Sequence, residues 1–509
     1  MIDRNRVLLV YPPNQLMEIE TPRPDGSLGP LYLAGALELA GFDVDVLDAS
    51  VGTATDCLQD TFYRSVRLPS GLTRIGMTRE RISEVIAGGS YGIVGINSNF
   101  SPQTRMALEV AAAAKEVSPE ILVVVGGVNA RNLPQHFWGQ GCIDIICLTE
   151  GERIITRVAE TWRQGGDPRF LTGIMFLGQD GRVVHHHSPG SSDILSDLDG
   201  LPFPAWHKLP FEHYAKIASP HSVTDQQAGR YAPIMTSRGC PFRCAFCHIS
   251  MEKDGFGDSG DIGSLRLKSV ARVIEEIERL EQLGVKKLYF EDDSLLAKKD
   301  RVIEIFRAVT GRGLSIADVN GVNLVHFQRR RQSQLEVDVE YLEILAAAGF
   351  TQIVFPVESG SQRVLDRYAS AKLNLETLDV VELVRLAKKV GIICPVNMMI
   401  GFPDETEAEM HQSIELARQL VGAGAEYCTF FIPIPFPGSR LFEIAVSGGY
   451  LDPDFDPDIF NWKNAVMKNT VVPPERILEL RDWAWQNVNS SEHVAMRIKA
   501  STESRWQDK

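Results

Sequence analysis

Cysteine is scarce in this chain, with eight residues in 509. They are too scattered for a disulfide framework and read as thiols of a reducing cytoplasm. Basic charge is not in excess either: 52 Lys and Arg against 66 Asp and Glu leave a formal net charge of −14. That balance argues against nucleic acid, whose phosphates call for a basic footprint. No apolar run reaches the ~18 residues suggestive of a membrane span. The opening MIDRNRVLLVYPPNQ holds too short an apolar stretch for a secretory signal. Repeats and low-complexity segments are missing as well. What remains, 44% apolar and 23% charged, is ordinary globular composition at a length that asks for more than one domain.

The first third alternates strand and helix patterns. RVLLVYPP, DVDVLDA, YGIVGINSNF, EILVVVGGVNA and IDIICLTEGE read as strands, with GPLYLAGALELAG and QTRMALEVAAAAKEV as helices between them. Alternation at this spacing implies βαβ units, a doubly wound parallel sheet, and ligands beyond the carboxyl ends of its strands. GIMFLGQDGRVVHHH reads as a hairpin turning at Asp180–Gly181, and the polar, proline-rich stretch after it as a linker. Strands are expected again near 232–237, 286–292, 315–323, 352–358, 392–400 and 427–434, most of them separated by helices. Six βα units around one core make a partial TIM-type (β/α)6 barrel. The expected organisation is α/β: a Rossmann-like domain at 1–170, hairpin and linker at 171–225, barrel at 226–440 and a helical extension at 441–509.

SRGCPFRCAFCHIS, residues 237–250, places Cys240, Cys244 and Cys247 just after the first barrel strand at spacing C-x3-C-x2-C. Such a loop can supply three thiolates to a cubane iron–sulfur cluster and leave one iron open. Zinc would want a fourth ligand, which His248 cannot easily provide from beside Cys247. Cys57, Cys142, Cys147, Cys394 and Cys428 read as packed core thiols.

CPFRCAFC resembles the signature of the radical S-adenosylmethionine (SAM) superfamily, with Phe246 at its aromatic position. The resemblance implies a 4Fe-4S cluster on the three cysteines, SAM chelated at the open iron, and reductive cleavage to a 5′-deoxyadenosyl radical. Later strand ends carry it further. VFPVESGSQRVLD makes Glu358 and Ser359 candidates for the polar groups of SAM, and NMMIGFPDE does the same for Asn397 and Gly401 near its adenine. Asn397 stands where a glycine is common and Asp404 where a glutamate is common. YFEDDSL sets Glu291, Asp292 and Asp293 at the second strand end, and FIPIPFPGSRLF resembles the sixth-strand closure.

The N-terminal domain has neither G-x-G-x-x-G nor a phosphate-binding G-x4-G-K-[ST] loop. Its segments GSLGPLYLAGALELAG, IVGINSNFSP, VVVGGVNA and TEGE resemble, in that order, the cobalamin-binding domains fused to radical SAM barrels. Glycines at 126 and 127 let backbone approach a bulky ligand. The resemblance points to Ser27, Leu28, Gly29, Asn97, Asn99, Ser101, Gly126, Gly127, Glu150, Gly151 and Glu152 as cobalamin neighbours. The histidine of a D-x-H-x-x-G motif is missing, since the matching stretch reads PDGSLG. Cobalt would therefore not be ligated through that residue, and Arg23 or Asp25 is the candidate for its lower face.

The resemblance implies a cobalamin-dependent radical SAM methyltransferase acting on carbon or phosphorus, with cobalt and cluster facing one cavity. It also implies an electron donor such as flavodoxin or ferredoxin and a small-molecule or peptide substrate. Three rivals are an enzyme that uses both cofactors for ring formation or rearrangement, a cobalamin-binding sensor or carrier, and a methylthiotransferase, whose second cluster Cys57, Cys142 and Cys147 lack the sequence context to hold. The cysteine loop argues against the carrier. HHH at 185–187 and RRR at 329–331 read as solvated faces, and Trp483 and Trp485 as anchors of the last helix.

Overall fold

The computed structural model describes residues 2–17, 28–187, 193–217, 229–253, 259–332, 334–370 and 372–503, with side chains as far as 498. The chain divides into two compact units. One comprises Met1–Pro220, Glu252–Ile262 and Ser501–Lys509, and the other His221–Met251 and Gly263–Ala500.

In the first unit, seven strands form one sheet in the order 183–186, 174–177, 145–147, 122–126, 91–97, 3–11, 43–48. The five strands from 43–48 to 145–147 are parallel, and the last two join antiparallel. The chain leaves 3–11 for one neighbour, 43–48, and later returns to its other neighbour, 91–97. That reversal puts a crevice beyond Tyr11 and Asn97, where doubly wound sheets hold ligands. Both faces are covered: Val7 and Leu9 belong to one apolar cluster, Leu8 and Val10 to another. This explains why the strands read as continuous apolar runs. The hairpin expected in GIMFLGQDGRVVHHH, residues 173–187, extends this sheet, turning at Gly181 in the left-handed region.

In the second unit, parallel strands follow one another in chain order: Tyr231–Ile234, Lys287–Phe290, Ser315–Asp318, then a fourth, then Val396–Met399 and Cys428–Phe431. The fourth strand is broken into Phe350–Gln352, which pairs with the third, and Phe355–Glu358, which pairs with the fifth. Pro356 and Pro395 cannot donate to a ladder, and the break between the two arcs falls beside them. The result is the partial barrel that the alternation implied. Helix Pro474–Val488 packs on it through Ile477 and Leu480. Asn489 bridges its end to the N–H and C=O of Cys428, at 2.7 and 2.8 Å. Trp483, expected as an anchor, is 45% exposed; Ile477, Leu480, Ala484 and Val488 occupy the buried face instead. Among the described residues no helix is long and apolar enough to cross a membrane.

Candidate functional site

The cysteine loop is set by its entry. Gly239 has φ +77, and a Cβ there would meet the carbonyl oxygens of Gly263 and Ser264 at 2.5 Å. Its N–H donates to Asp293 at 2.9 Å, and that of Cys240 to the Gly263 carbonyl at 3.1 Å. Asp292, fully buried, accepts from the Thr236 N–H and hydroxyl and the Ser237 hydroxyl. Two acids of the EDD run thus hold the end of the first strand rather than forming a solvated cluster.

The far side of the loop is tied to later barrel segments. The Ala245 N–H donates to the Tyr368 carbonyl and the Leu441 N–H to the Ala245 carbonyl, both at 2.7 Å. The Cys244 thiol reaches the Ala369 carbonyl at 3.5 Å, and Asn323 Nδ2 lies 3.9 Å from Cys240 Sγ. None of the three cysteines is in a disulfide among the described residues; Cys244 is buried and the other two are half-buried. Burial, then the neighbouring Cys244, Asp293 and Cys240, pushes the Cys247 thiol up to about 12. A thiol so placed ionises when a cation compensates it. Among the described residues no three His, Cys, Asp or Glu side chains gather as around a single metal ion. A cubane asks for less convergence, because each thiolate takes its own iron. The residues fit a cluster.

Of the SAM candidates, the structure brings Phe246, Glu358 and the Gly401 loop together. The Phe246 ring lies 6.1 Å from that of Phe402, which stacks on Tyr368 at 4.2 Å. Glu358 is buried, has φ +68, and accepts from Lys372 Nζ at 2.6 Å. Lys372 Nζ in turn sits 5.8 Å from the Phe246 ring centre. Gly401 has φ +102, and its N–H and that of Phe402 both donate to one oxygen of Glu405. Burial pushes Glu405 up to about 7, against the pull of those two N–H groups. The acid that reaches back to this loop is therefore Glu405. Asp404 pairs with Arg363, Arg367 and the Tyr368 hydroxyl instead. Ser359 stands apart: its hydroxyl is fully buried against Ser413 and the Ser361 N–H. Asn397 is half-buried in the fifth strand.

Sequence reasoning missed Lys372, Asn323 and Glu405. Only Glu405 left a signal, as the second acid of PDE.

In the first unit, the loops after 91–97 and 122–126 interlock. Gly127 has φ +113, and a Cβ there would meet the Ser98 carbonyl oxygen at 2.3 Å. The Ser98 N–H donates to the Gly126 carbonyl, and the Asn129 N–H to that of Ser98. Asn129 Nδ2 donates to the Ser98 and Thr104 hydroxyls, while its Oδ1 is buried with no partner among the described residues. Helix Leu28–Leu39 begins beside this loop, and a Cβ on Gly29 would be 3.4 Å from Asn97 Nδ2. Leu28 and Ser101 are buried and Asn99 is exposed. Glu150, Gly151 and Glu152 open helix Gly151–Arg163, and Glu150 accepts the Leu195 N–H at 3.4 Å. Ser27, Arg23 and Asp25 lie outside the described residues. A strand end lined by Gly29, Gly126 and Gly127 leaves backbone open to close approach and so fits a bulky ligand. Cys57, expected in the core, is exposed; Cys142, Cys147, Cys394 and Cys428 are buried.

Residues 234–417 match the radical SAM superfamily, and residues 26–159 match the B12 binding domain. Cytidylyl-2-hydroxyethylphosphonate methyltransferase of Streptomyces wedmorensis is 29% identical over 88% of this chain and 83% of its own length. An uncharacterised methyltransferase of Pyrococcus horikoshii is 27% identical over 95% and 90%. Among solved structures, the radical SAM methyltransferase TsrM from Kitasatospora setae, with tryptophan substrate and a SAM analogue bound, superposes with TM-score 0.62. It has 18% identity over 88% of this chain and 77% of that one, a likeness of fold.

Proposed function

Because the chain carries a radical SAM domain and a B12 binding domain, and so belongs with the cobalamin-dependent radical SAM enzymes, we propose that it is a methyltransferase acting on an unactivated carbon or a phosphorus centre. When bound, the 4Fe-4S cluster with SAM supplies hydrogen abstraction from unactivated positions, and cobalamin carries the methyl group. Cys240, Cys244 and Cys247 hold the cluster, with Asp293 and the Gly263 carbonyl fixing the loop that presents them. Glu405 shapes the Gly401–Phe402 backbone that would bound SAM, and Phe246, Phe402 and Tyr368 would wall that side from water. The crevice around Gly29, Asn97 and Gly126–Gly127 holds cobalamin.

The observation that carries this reading is the coexistence of an anchored three-cysteine loop and a glycine-lined strand end in one chain. Its similarity to a phosphonate-nucleotide methyltransferase over most of its length supports methyl transfer. The acceptor is a small molecule or peptide, the reductant a flavodoxin or ferredoxin, and the compartment the cytoplasm. The test is anaerobic reconstitution with iron, sulfide and cobalamin, then reductant, SAM and candidate acceptors. S-adenosylhomocysteine and 5′-deoxyadenosine should both form, and Cys244→Ala should lose the second. Deoxyadenosine without the homocysteine product would give a non-methylating enzyme instead.

A further inference from the structure

We propose that Lys372 is a positioning residue of the cluster site: a fixed buried cation that raises the cluster's reduction potential and is held in check by its ion pair with Glu358. The inference rests on the assignment of a 4Fe-4S cluster to Cys240, Cys244 and Cys247.

Three contacts locate the charge. Lys372 Nζ is 2.6 Å from Glu358 Oε1, with both side chains less than a tenth exposed. It is 5.8 Å from the centre of the Phe246 ring, and Phe246 stands between Cys244 and Cys247 in the chain. The segment carrying Lys372 is fastened to the same loop by the Tyr368 carbonyl on the Ala245 N–H and the Ala369 carbonyl near the Cys244 thiol. The Lys372 N–H donates to that same Ala369 carbonyl at 3.2 Å, which ties its backbone to this segment, and the Glu358 ion pair fixes its ammonium.

The pair is poorly explained as a stabiliser. Burying two charges costs desolvation that their attraction often fails to recover, and an apolar pair would serve packing as well. Glu358 also sits at φ +68, a strained conformation for a residue with a side chain, of the kind that clusters at functional sites. Burial opposes the charge on Lys372, and the Glu358 carboxylate at 2.6 Å favours it. A cluster gains negative charge when it takes an electron. A nearby cation favours the reduced form and a nearby carboxylate disfavours it. The Lys372–Glu358 pair sets both signs beside one cluster, so removing each partner should move the potential in opposite directions.

The experiment is an EPR-monitored redox titration, without SAM, of full-length protein reconstituted with iron and sulfide, once cluster content has been measured. At the potential where wild type is half reduced, Lys372→Met should show about a tenfold lower ratio of reduced to oxidised cluster, equivalent to about 59 mV for one electron. Glu358→Gln should raise that ratio, the double variant should fall between the singles, and Lys372→Arg should stay near wild type. A merely structural role predicts lost cluster or shifts of one sign. If Lys372→Met holds no cluster, the direction of the Glu358→Gln shift decides. Both singles shifting the same way, or neither shifting with cluster intact, would overturn this inference and leave the cluster assignment standing. Failure of wild type to take up a cluster would overturn both.

Discussion

Replacing Asp318 by asparagine should stabilise the barrel increasingly as pH rises. Asp318 ends the third barrel strand with no exposure. One of its oxygens accepts the Gly321 and Val354 N–H groups at 3.0 and 3.2 Å, and the other finds no partner among the described residues. Burial, opposed by those two N–H groups and reinforced by Asp292, pushes its carboxyl from 3.8 up to about 8. The folded chain therefore keeps a proton that the unfolded chain releases. The stability this gives is whole below 3.8 and drains away as pH rises toward 8. At roughly 1.36 kcal/mol per pH unit the loss is capped at about 5–6 kcal/mol, of which about 4 accrues between pH 5 and 8. Asparagine is neutral throughout; its carbonyl can take the two N–H donors and its amide nitrogen the place of the second oxygen. Thermal denaturation of wild type and Asp318→Asn from pH 5 to 9 should show a gap in favour of the variant that widens by several degrees toward pH 8 and then levels. A gap that does not change with pH would refute the reasoning, because it would mean that Asp318 is already ionised in the folded chain at pH 5, as it is in the unfolded one.

Two further outcomes follow from the loop at the fifth strand. Glu405→Ala deprives the Gly401 and Phe402 N–H groups of their shared acceptor, at about 1–1.5 kcal/mol each. SAM affinity measured by calorimetry should fall roughly 10- to 100-fold, and Glu405→Gln should recover most of it. Gly401→Ala places a Cβ at φ +102, 2.7 Å from an Ile477 methyl. It should cost about 2–4 kcal/mol in denaturant unfolding, unless the Ile477 side chain swings away.

The main features were legible because they are local. Apolar runs gave the strands of both units, and three cysteines within eight residues can hardly mean anything but a shared ligand. The features that escaped depend on contacts remote in the chain or on backbone angles. Lys372, within ASAKLN, reads as a surface lysine; its burial follows from pairing with Glu358, fourteen positions earlier. Asp404 and Glu405 are adjacent acids, and only the fold of the loop turns the second toward the Gly401 N–H and the first toward Arg363 and Arg367. Trp483 reads as an anchor by size, yet the helix presents Leu480 and Ala484 to the barrel and leaves the ring outside. Asn129 carried no signal, because its unsatisfied oxygen appears only once its nitrogen is committed to Ser98 and Thr104.

The central claim, two cofactor sites built separately on one chain, is tested most directly by bound iron and bound cobalamin counted in the same preparations. Wild type, Cys244→Ala and Gly127→Ala would be reconstituted side by side under anaerobic conditions. The Gly127 variant forces a Cβ to 2.3 Å from the Ser98 carbonyl at φ +113, which must displace the loop. Wild type should hold both groups, Cys244→Ala should lose iron and keep cobalamin, and Gly127→Ala should lose cobalamin and keep iron. Cobalamin retained in full by a folded Gly127→Ala, or iron retained in full by Cys244→Ala, would contradict the account.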